Sequence, residues 1–228
     1  MSIWRWAEWI TPVPEQHRVT LGEGNTPLVR SRSIGPSIGL DNLWLKLEAG
    51  NPAGSFKDRF GAAAISAMKA ENQGRCVATS SGNTGSAVAA YCAAAGLECE
   101  IAVVETAPMG KLRQMMAYGA NVYRIRGFGL DPDVSSRAFE VLMARGEAPD
   151  ARLQVSSYIY SVPGMTGVET ISFELAEQAD QSVACARRQF VRIAQVETGG
   201  GERRLRAARI AAHGFQRLCA KAALGLIV

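Results

Sequence analysis

The sequence predicts an α/β protein built around a parallel sheet. Short apolar segments typical of strands alternate with longer helical segments between residues 43 and 145. Several of these helical segments end at a glycine, which adopts the left-handed conformation of a helix C-terminus without steric strain. Because parallel strands need a crossover connection, usually a helix, this alternation favours a parallel sheet over hairpins.

The first fifty residues contribute an aromatic N-terminal segment and one strand. A proline-punctuated loop at Thr11–Pro14 is followed by a turn-rich stretch at Gly22–Leu28. Leu43–Glu48 alternates apolar and charged residues, which predicts a strand with one face buried. Asn51–Gly54 then ends this strand.

The remaining elements alternate regularly up to residue 145. We predict a helix from Asp58 to Lys69, with Ser55 as its N-cap and Asp58 as the acidic residue of the first turn. The further strands are expected at residues 76–79, 100–104 and 121–125, and the further helices at 86–95, 111–118 and 135–145.

The bulk composition is that of an ordinary globular protein, with 47% hydrophobic and 20% charged residues. No apolar run reaches the ~20 residues that a membrane span requires, and the N-terminus lacks the pattern of a secretory signal. We therefore expect a cytoplasmic protein without membrane partners. The two histidines, His17 and His213, are too isolated for a metal site.

The cysteines fit neither a disulfide framework nor a zinc site, because their number is odd and no CxxC motif occurs. We expect them to be buried or half-buried reduced thiols. They are Cys76, Cys92, Cys99, Cys185 and Cys219.

The net charge of +4 comes entirely from the last fifty residues. Residues 179–228 are rich in arginine and contain no proline, and a helix at Arg203–Ala212 is compatible with their composition. No nucleic-acid-binding module is recognisable there, so we expect no nucleic-acid partner. The abrupt change suggests the hypothesis that this segment comes from a shifted reading frame or a disrupted gene.

Lys57, within Gly54–Arg59, is the first candidate functional residue. A lysine amine held in a pocket can form an imine with an aldehyde and later act as a base. The alternative is a surface lysine at the start of a helix, although a cation there opposes the helix dipole.

The segment Ser80–Gly85 is the second candidate, because it leaves a predicted strand and opens a helix. Its backbone N–H groups and its hydroxyl and amide side chains can bind a carboxylate or a phosphate. The alternative is a simple capped turn, in which the same residue types are common.

Together with Glu23–Leu28, the two segments closely resemble threonine synthase, within the tryptophan-synthase-β-like (fold type II) group of pyridoxal-phosphate enzymes. The resemblance runs from about Val19 to about Gln178. It implies an α/β fold of type II, with helices on both faces of parallel sheets. A small domain at 60–162 would be inserted into a large domain formed by 1–59 and 163–228, which would be incomplete.

The resemblance also implies roles for particular residues. Lys57 would be the Schiff-base lysine that binds pyridoxal 5'-phosphate and moves protons, Phe56 would help to place the cofactor, and Asn83 would hydrogen-bond its 3-oxygen. The substrate carboxylate would be bound by Ser80, Ser81 and Thr84. The implied reaction converts O-phosphohomoserine and water to threonine and phosphate, and no metal is involved.

The chain departs from the family pattern in three places. We find no convincing counterpart in the sequence of the family's late hydroxyl that faces the pyridine nitrogen, and Thr198–Gly201 is either a degenerate phosphate loop or a linker. Tyr158-Ile159-Tyr160 replaces the usual Asn-Pro turn. Two alternatives therefore stay open: another fold type II enzyme, such as a threonine or serine dehydratase or a β-replacement enzyme, and a non-catalytic remnant. The expected ligand is a small amino-acid substrate, and a homodimer is left open.

Overall fold

The computed structural model describes residues 2–40 and 42–182. The chain forms two compact units. The first comprises Met1–Gly24 and Asn51–Val168, and the second comprises Asn25–Gly50 and Glu169–Val228, described here as far as residue 182. The predicted division into a small domain at 60–162 and a discontinuous large domain stays a prediction.

The first unit contains a four-stranded parallel sheet, which confirms the predicted fold class. Its strands are β3 (Arg75–Thr79), β4 (Glu98–Val103), β5 (Asn121–Arg124) and β6 (Ala151–Gln154). They lie in the order β5-β4-β3-β6, and every neighbouring pair is parallel. The sequence analysis missed β6, because charged and polar residues, Arg152 and Gln154, interrupt this four-residue strand.

The predicted helices are present, with shifted ends. The helices that follow these strands or precede them are α2 (Lys57–Ala70), α3 (Asn83–Ala95), α4 (Met109–Ala117) and α5 (Pro132–Gly146). α3 begins three residues before the predicted start, so Asn83 and Thr84 lie in its first turn and not in the loop. It ends at Gly96, whose φ of +71° is the left-handed conformation expected of a terminal glycine.

The N-cap of α2 is Phe56 and not the predicted Ser55, and the Phe56 side chain makes no capping hydrogen bond. Ser55 instead belongs to the turn that precedes the helix. The Ser55 hydroxyl accepts a hydrogen bond from the Lys57 N–H at 3.2 Å, and the Asp58 carboxylate accepts one from the Ser55 N–H at 3.2 Å. These reciprocal bonds satisfy backbone donors that a helix N-terminus would otherwise leave unpaired.

Close helix packing and a small apolar cluster form the core of the first unit. α2 contacts α3 so closely that a Cβ at Gly61 would lie 2.7 Å from the Tyr91 ring. The apolar cluster joins the sheet to α5 and consists of Val77, Ala102, Phe128, Leu142, Ala151 and Leu153. Cys76, Cys92 and Cys99 are buried free thiols, as predicted, whereas Cys185 and Cys219 lie outside the described residues.

The second unit contains two short antiparallel strands, β1 (Leu28–Arg30) and β2 (Trp44–Lys46), with α1 (Ile34–Ser37) between them. The strand predicted at 43–48 is therefore present. Its buried positions are the charged ones, however, because Lys46 and Glu48 are buried while Leu47 is 41% exposed. Each buried charge has a polar partner: the Thr26 hydroxyl donates to Glu48 at 2.6 Å, and Lys46 donates to Glu174 at 2.7 Å.

The last described helix is α6 (Val162–Ser182). The predicted helix at Arg203–Ala212, the glycine run at Thr198–Gly201 and His213 lie outside the described residues. No helix among residues 2–40 and 42–182 has both the length and the apolar character needed to cross a bilayer. In the same part of the chain, no group of three or more His, Cys, Asp or Glu side chains is arranged to hold a metal ion.

Candidate active site

A rigid turn places Lys57 at the start of α2. Gly54 has a φ of +90°, a conformation that other residues rarely adopt. The Asp58 carboxylate accepts hydrogen bonds from the backbone N–H groups of Ala53, at 2.7 Å, and Ser55, at 3.2 Å. Because Asp58 is fully buried, these bonds fix the turn from inside the protein.

The Lys57 side chain is half-buried and makes a specific contact. Its Nζ donates a hydrogen bond to the Ser156 hydroxyl at 2.6 Å and lies 4.5 Å from the centre of the Phe56 ring. Burial disfavours the charged ammonium and lowers the pKa of Lys57 to about 8. The predicted reactive amine is therefore held in place, and because its pKa of about 8 lies close to physiological pH, an appreciable minority of it is neutral there.

Sheet register connects Lys57 to the Ser80–Gly85 segment. β3 pairs with β6 so that Ala78 lies opposite Gln154. Ser80 and Ser156 each follow this pair by two residues, at the carboxyl ends of strands that are ~4.8 Å apart. Because Lys57 is bonded to Ser156, its amine lies at the same sheet edge as the Ser80 turn, where α/β proteins bind their ligands.

The hydroxyl oxygens of the two serines in this turn accept hydrogen bonds from backbone N–H groups. The Ser80 hydroxyl accepts from the Gly82 N–H at 3.3 Å, and the Ser81 hydroxyl accepts from the Val104 N–H, just after β4, at 3.0 Å. In both bonds the serine oxygen is the acceptor, so each hydroxyl proton can still be donated to an anion.

The N-terminus of α3 offers backbone donors at the same place. Gly82 is the N-cap and supplies no capping side chain. Within residues 2–40 and 42–182, no acceptor contacts the N–H groups of Asn83, Thr84 and Gly85. The Asn83 side chain is exposed and that of Thr84 half-exposed. These groups, with the helix dipole, can bind an anion.

A buried polar network near Asp58 was not predicted. The Tyr91 hydroxyl donates to Glu23 at 2.7 Å, and Glu23 also accepts from the Leu21 N–H at 3.0 Å. Burial and the nearby charge of Glu23 raise the pKa of Tyr91, which therefore remains a donor. Burial likewise raises the pKa of Asp58 to about 6. Glu23 was recognised in the sequence only as part of a turn-rich motif.

Ser156 was also missed as a contact of Lys57. It lies two residues before Tyr158-Ile159-Tyr160, where the chain departs from the family pattern, and no motif singled it out. Only the placement of β6 beside β3 brings Ser156 close to Lys57, and the sequence carries no local pattern that predicts this strand order.

The lowered pKa of Lys57 predicts an unusual pH profile for chemical labelling. Below about pH 8 the amine carries a proton and is unreactive, and above it the amine is neutral. We expect acetylation of Lys57, followed by peptide mass spectrometry, to rise with a midpoint near pH 8. In urea-unfolded protein the midpoint should return toward ~10.4. A midpoint above pH 10 in the folded chain would contradict the burial of this amine.

The close packing around Gly85 predicts that one added methyl group lowers the stability of the fold. A Cβ at this position would lie 2.5 Å from the Ser80 carbonyl oxygen and 2.6 Å from Met115 Cε. The methionine can move but the backbone oxygen cannot, so we expect Gly85→Ala to lower the free energy of unfolding by about 1–3 kcal/mol in urea titrations. Gly82→Ala is the control, because its Cβ would meet nothing within 4 Å. Equal losses in the two variants would refute this argument.

Comparison with known proteins gives one family. Residues 19–201 match the family model described as "Pyridoxal-phosphate dependent enzyme". The match begins where the resemblance was expected to begin, but it continues past Gln178 to residue 201. The change of composition after Gln178 is therefore not where the family match ends.

The curated relatives include several threonine synthases. The protein from Halalkalibacterium halodurans is 34% identical over 188 residues, which cover 80% of this chain and 50% of that protein. The one from Methanocaldococcus jannaschii is 32% identical over 186 residues, covering 80% of this chain and 43% of that protein. The chain thus spans about half the length of the curated relatives it matches.

Solved structures agree with the fold class. Maize serine racemase superposes with a TM-score of 0.59 at 22% identity, over 85% of this chain and 54% of that chain. Serine racemase from Dictyostelium discoideum superposes with a TM-score of 0.55 at 27% identity, over 68% of this chain and 48% of that chain.

Proposed function

The chain belongs to the pyridoxal-phosphate dependent enzyme family, and from that premise we propose that it carries the catalytic lysine of a threonine-synthase-like lyase. The proposed reaction converts O-phosphohomoserine and water to threonine and phosphate. Threonine synthases at 34% and 32% identity support this substrate over those of other fold type II enzymes.

One observation carries the proposal. The Lys57 amine is half-buried, has a pKa lowered to about 8, and is held at 2.6 Å from Ser156 at the carboxyl edge of the sheet. A lysine that exchanges protons near neutral pH, beside an anion-binding helix N-terminus, is suited to general acid–base work on an amino acid. A surface lysine would have neither property.

The residues present fit the aldehyde end and the ring of pyridoxal phosphate. Lys57 supplies the amine that attaches to the aldehyde, and Phe56 borders that amine at 4.5 Å. The exposed carboxamide of Asn83 is the proposed partner of the ring 3-oxygen. When bound, the cofactor supplies an electron sink for the substrate carbons. The proposed phosphate contact at Thr198–Gly201 lies outside the described residues.

The turn after β3 is the proposed site of the substrate carboxylate. Ser80, Ser81 and Thr84 carry hydroxyl protons that can be donated, and the backbone N–H groups at the start of α3 add further donors. Lys57 then moves protons at the substrate carbons, because both of its protonation states are populated near pH 8.

The attachment to Lys57 can be tested directly. The full chain is incubated with pyridoxal phosphate, reduced with borohydride and digested, and the modified lysine is located by mass spectrometry. We expect modification at Lys57 at substoichiometric cofactor. Modification spread over the other lysines, with Lys57 unmodified, would leave the non-catalytic remnant as the better explanation.

The substrate is tested by product analysis. Release of inorganic phosphate from O-phosphohomoserine, with formation of threonine, is the expected result. Formation of ammonia and a 2-oxo acid from serine or threonine would instead identify a dehydratase of the same group. Sedimentation of the cofactor-loaded chain tests the homodimer, which we propose as its assembly.

A further inference from the structure

The backbone at Ser156 is fixed on both sides. Ser156 lies two residues beyond the end of β6 and one residue before a tight turn. In that turn the Ser157 carbonyl oxygen accepts hydrogen bonds from the N–H groups of Tyr160, at 3.1 Å, and Ser161, at 2.9 Å. The turn leads directly into α6. The position of Ser156 is therefore set by the sheet on one side and by the start of α6 on the other.

The Ser156 hydroxyl makes one strong and one weak hydrogen bond. Its oxygen accepts from the Lys57 Nζ at 2.6 Å, and its own O–H donates to the Met165 sulfur at 3.7 Å. Met165 is buried in the first turn of α6. A thioether sulfur is a weak acceptor and does not take up a proton. Ser156 therefore serves the amine as an acceptor and does not relay its proton onward.

Within residues 2–40 and 42–182, no carboxylate forms an ion pair with the Lys57 amine. The amine donates to the Ser156 hydroxyl and lies 4.5 Å from the centre of the Phe56 ring. Burial alone lowers the pKa of Lys57, without a contribution from a neighbouring charge. The other titratable side chains around this turn and the segments that contact it are Asp58, Arg59, Glu23, Tyr91, Tyr158 and Lys111. An uncharged hydroxyl is thus the hydrogen-bond acceptor of this half-buried amine.

The hydrogen bond to Ser156 favours the protonated form of Lys57. An ammonium N–H forms a hydrogen bond about twice as strong as that of a neutral amine N–H. Burial acts in the opposite direction, because it disfavours the charged form. The hydroxyl therefore offsets part of the effect of burial, and without it the amine loses its proton at a lower pH.

We propose that Ser156 is a positioning residue, which holds the Lys57 amine at the sheet edge whenever that amine is not attached to the cofactor and stabilises the proton that it takes from the substrate. This inference rests on the proposed function of Lys57 as proton carrier. The proton moves from a substrate carbon to the Lys57 nitrogen and later returns to a substrate carbon. Throughout, the Ser156 oxygen accepts a hydrogen bond and keeps its own proton, so this residue determines where the amine lies and at which pH it is protonated.

The pH profile of Lys57 acetylation tests this role in the full chain without added cofactor. In Ser156→Ala we expect the midpoint, near pH 8 in the unsubstituted chain, to fall by about half a pH unit or more, because the ammonium loses its acceptor. Ser156→Thr keeps a hydroxyl and should stay close to the unsubstituted chain. Ser157→Ala is the matched control and should leave the midpoint unchanged, because the Ser157 hydroxyl accepts from the Ile159 N–H at 3.4 Å and does not contact Lys57.

The direction of the shift distinguishes this role from a purely structural one. If Ser156→Ala only loosened the segment and exposed Lys57 to water, the midpoint would rise toward ~10.4. Such a rise, an unchanged midpoint, or an equal fall in Ser156→Thr or Ser157→Ala would overturn the proposal. Failure of the proposed function has a separate readout, because it would appear as borohydride trapping that leaves Lys57 of the unsubstituted chain unmodified, whereas the acetylation profile requires no cofactor.

Discussion

Replacing Lys57 with alanine is expected to lower phosphate release from O-phosphohomoserine by about a thousandfold or more. The amine is held at the sheet edge by Ser156 at 2.6 Å, and its pKa of about 8 allows it to exchange protons near physiological pH. In the proposed mechanism, its removal leaves the cofactor without a covalent attachment and the substrate without a proton carrier. Phosphate release and borohydride-trapped cofactor should therefore disappear together.

Two further substitutions distinguish loss of the reactive amine from loss of the folded structure. Lys57→Arg keeps a cation within reach of Ser156, but a guanidinium does not lose its proton in a protein, so this variant should be as inactive as Lys57→Ala. Lys69→Ala removes a partly exposed lysine from the same helix and should retain activity. Substantial activity in Lys57→Arg would show that the amine is not the proton carrier.

The parallel sheet and its helices were predictable because their signals are local. The strand predicted at Cys76–Thr79 is recognisable from a short apolar run alone. The end of α3 is recognisable from Gly96, because glycine adopts the left-handed conformation of a helix C-terminus without strain. The hydrogen bond from the Ser55 N–H to the Asp58 carboxylate, in the turn before α2, likewise joins residues three apart. Each of these features is determined by neighbours within one or two turns of chain.

The contact of Lys57 with Ser156 was not predictable in the same way. It requires β6 to lie beside β3 although α3, β4, α4, β5 and α5 separate them along the chain. Strand order depends on how helices cross the sheet, and the sequence contains no local signal for it. The motifs therefore indicated the lysine and the proposed anion-binding turn, while Ser156, which contacts the lysine, was identified only from the strand register.

Buried charges were the second feature that the sequence concealed. Lys46, Glu48, Glu23 and Asp58 are all buried, yet hydropathy assigns such residues to the surface. Their burial is tolerated because each has a polar partner. For Glu23 this partner is Tyr91, at 2.7 Å from a distant segment, whereas Asp58 accepts from backbone N–H groups of its own turn. Pairing across distant segments is again information that a local pattern does not contain.

The Lys46→Met substitution is expected to lower the free energy of unfolding by about 3–5 kcal/mol. The Lys46 Nζ donates to the Thr26 carbonyl at 2.7 Å, to Glu174 at 2.7 Å and to Gln178 at 2.8 Å. Methionine fills a similar volume, so little packing is lost, but it leaves the Glu174 charge buried without its cation. Urea titrations at neutral pH, followed by circular dichroism, would measure the loss.

A double variant and a surface pair identify the cause of that loss. Lys46→Met combined with Glu174→Gln removes both charges of this buried pair. It also keeps an acceptor for the Asn25 N–H, which in the unsubstituted chain bonds Glu174 at 2.7 Å, so it should recover much of the stability. Arg152→Met breaks an ion pair whose side chains are 50% and 49% exposed, and should change stability by less than about 1 kcal/mol. If Lys46→Met lowers the free energy of unfolding no more than Arg152→Met does, burial does not increase the contribution of the Lys46–Glu174 pair to stability. If the double variant is less stable than Lys46→Met, the unpaired carboxylate is not the source of the loss.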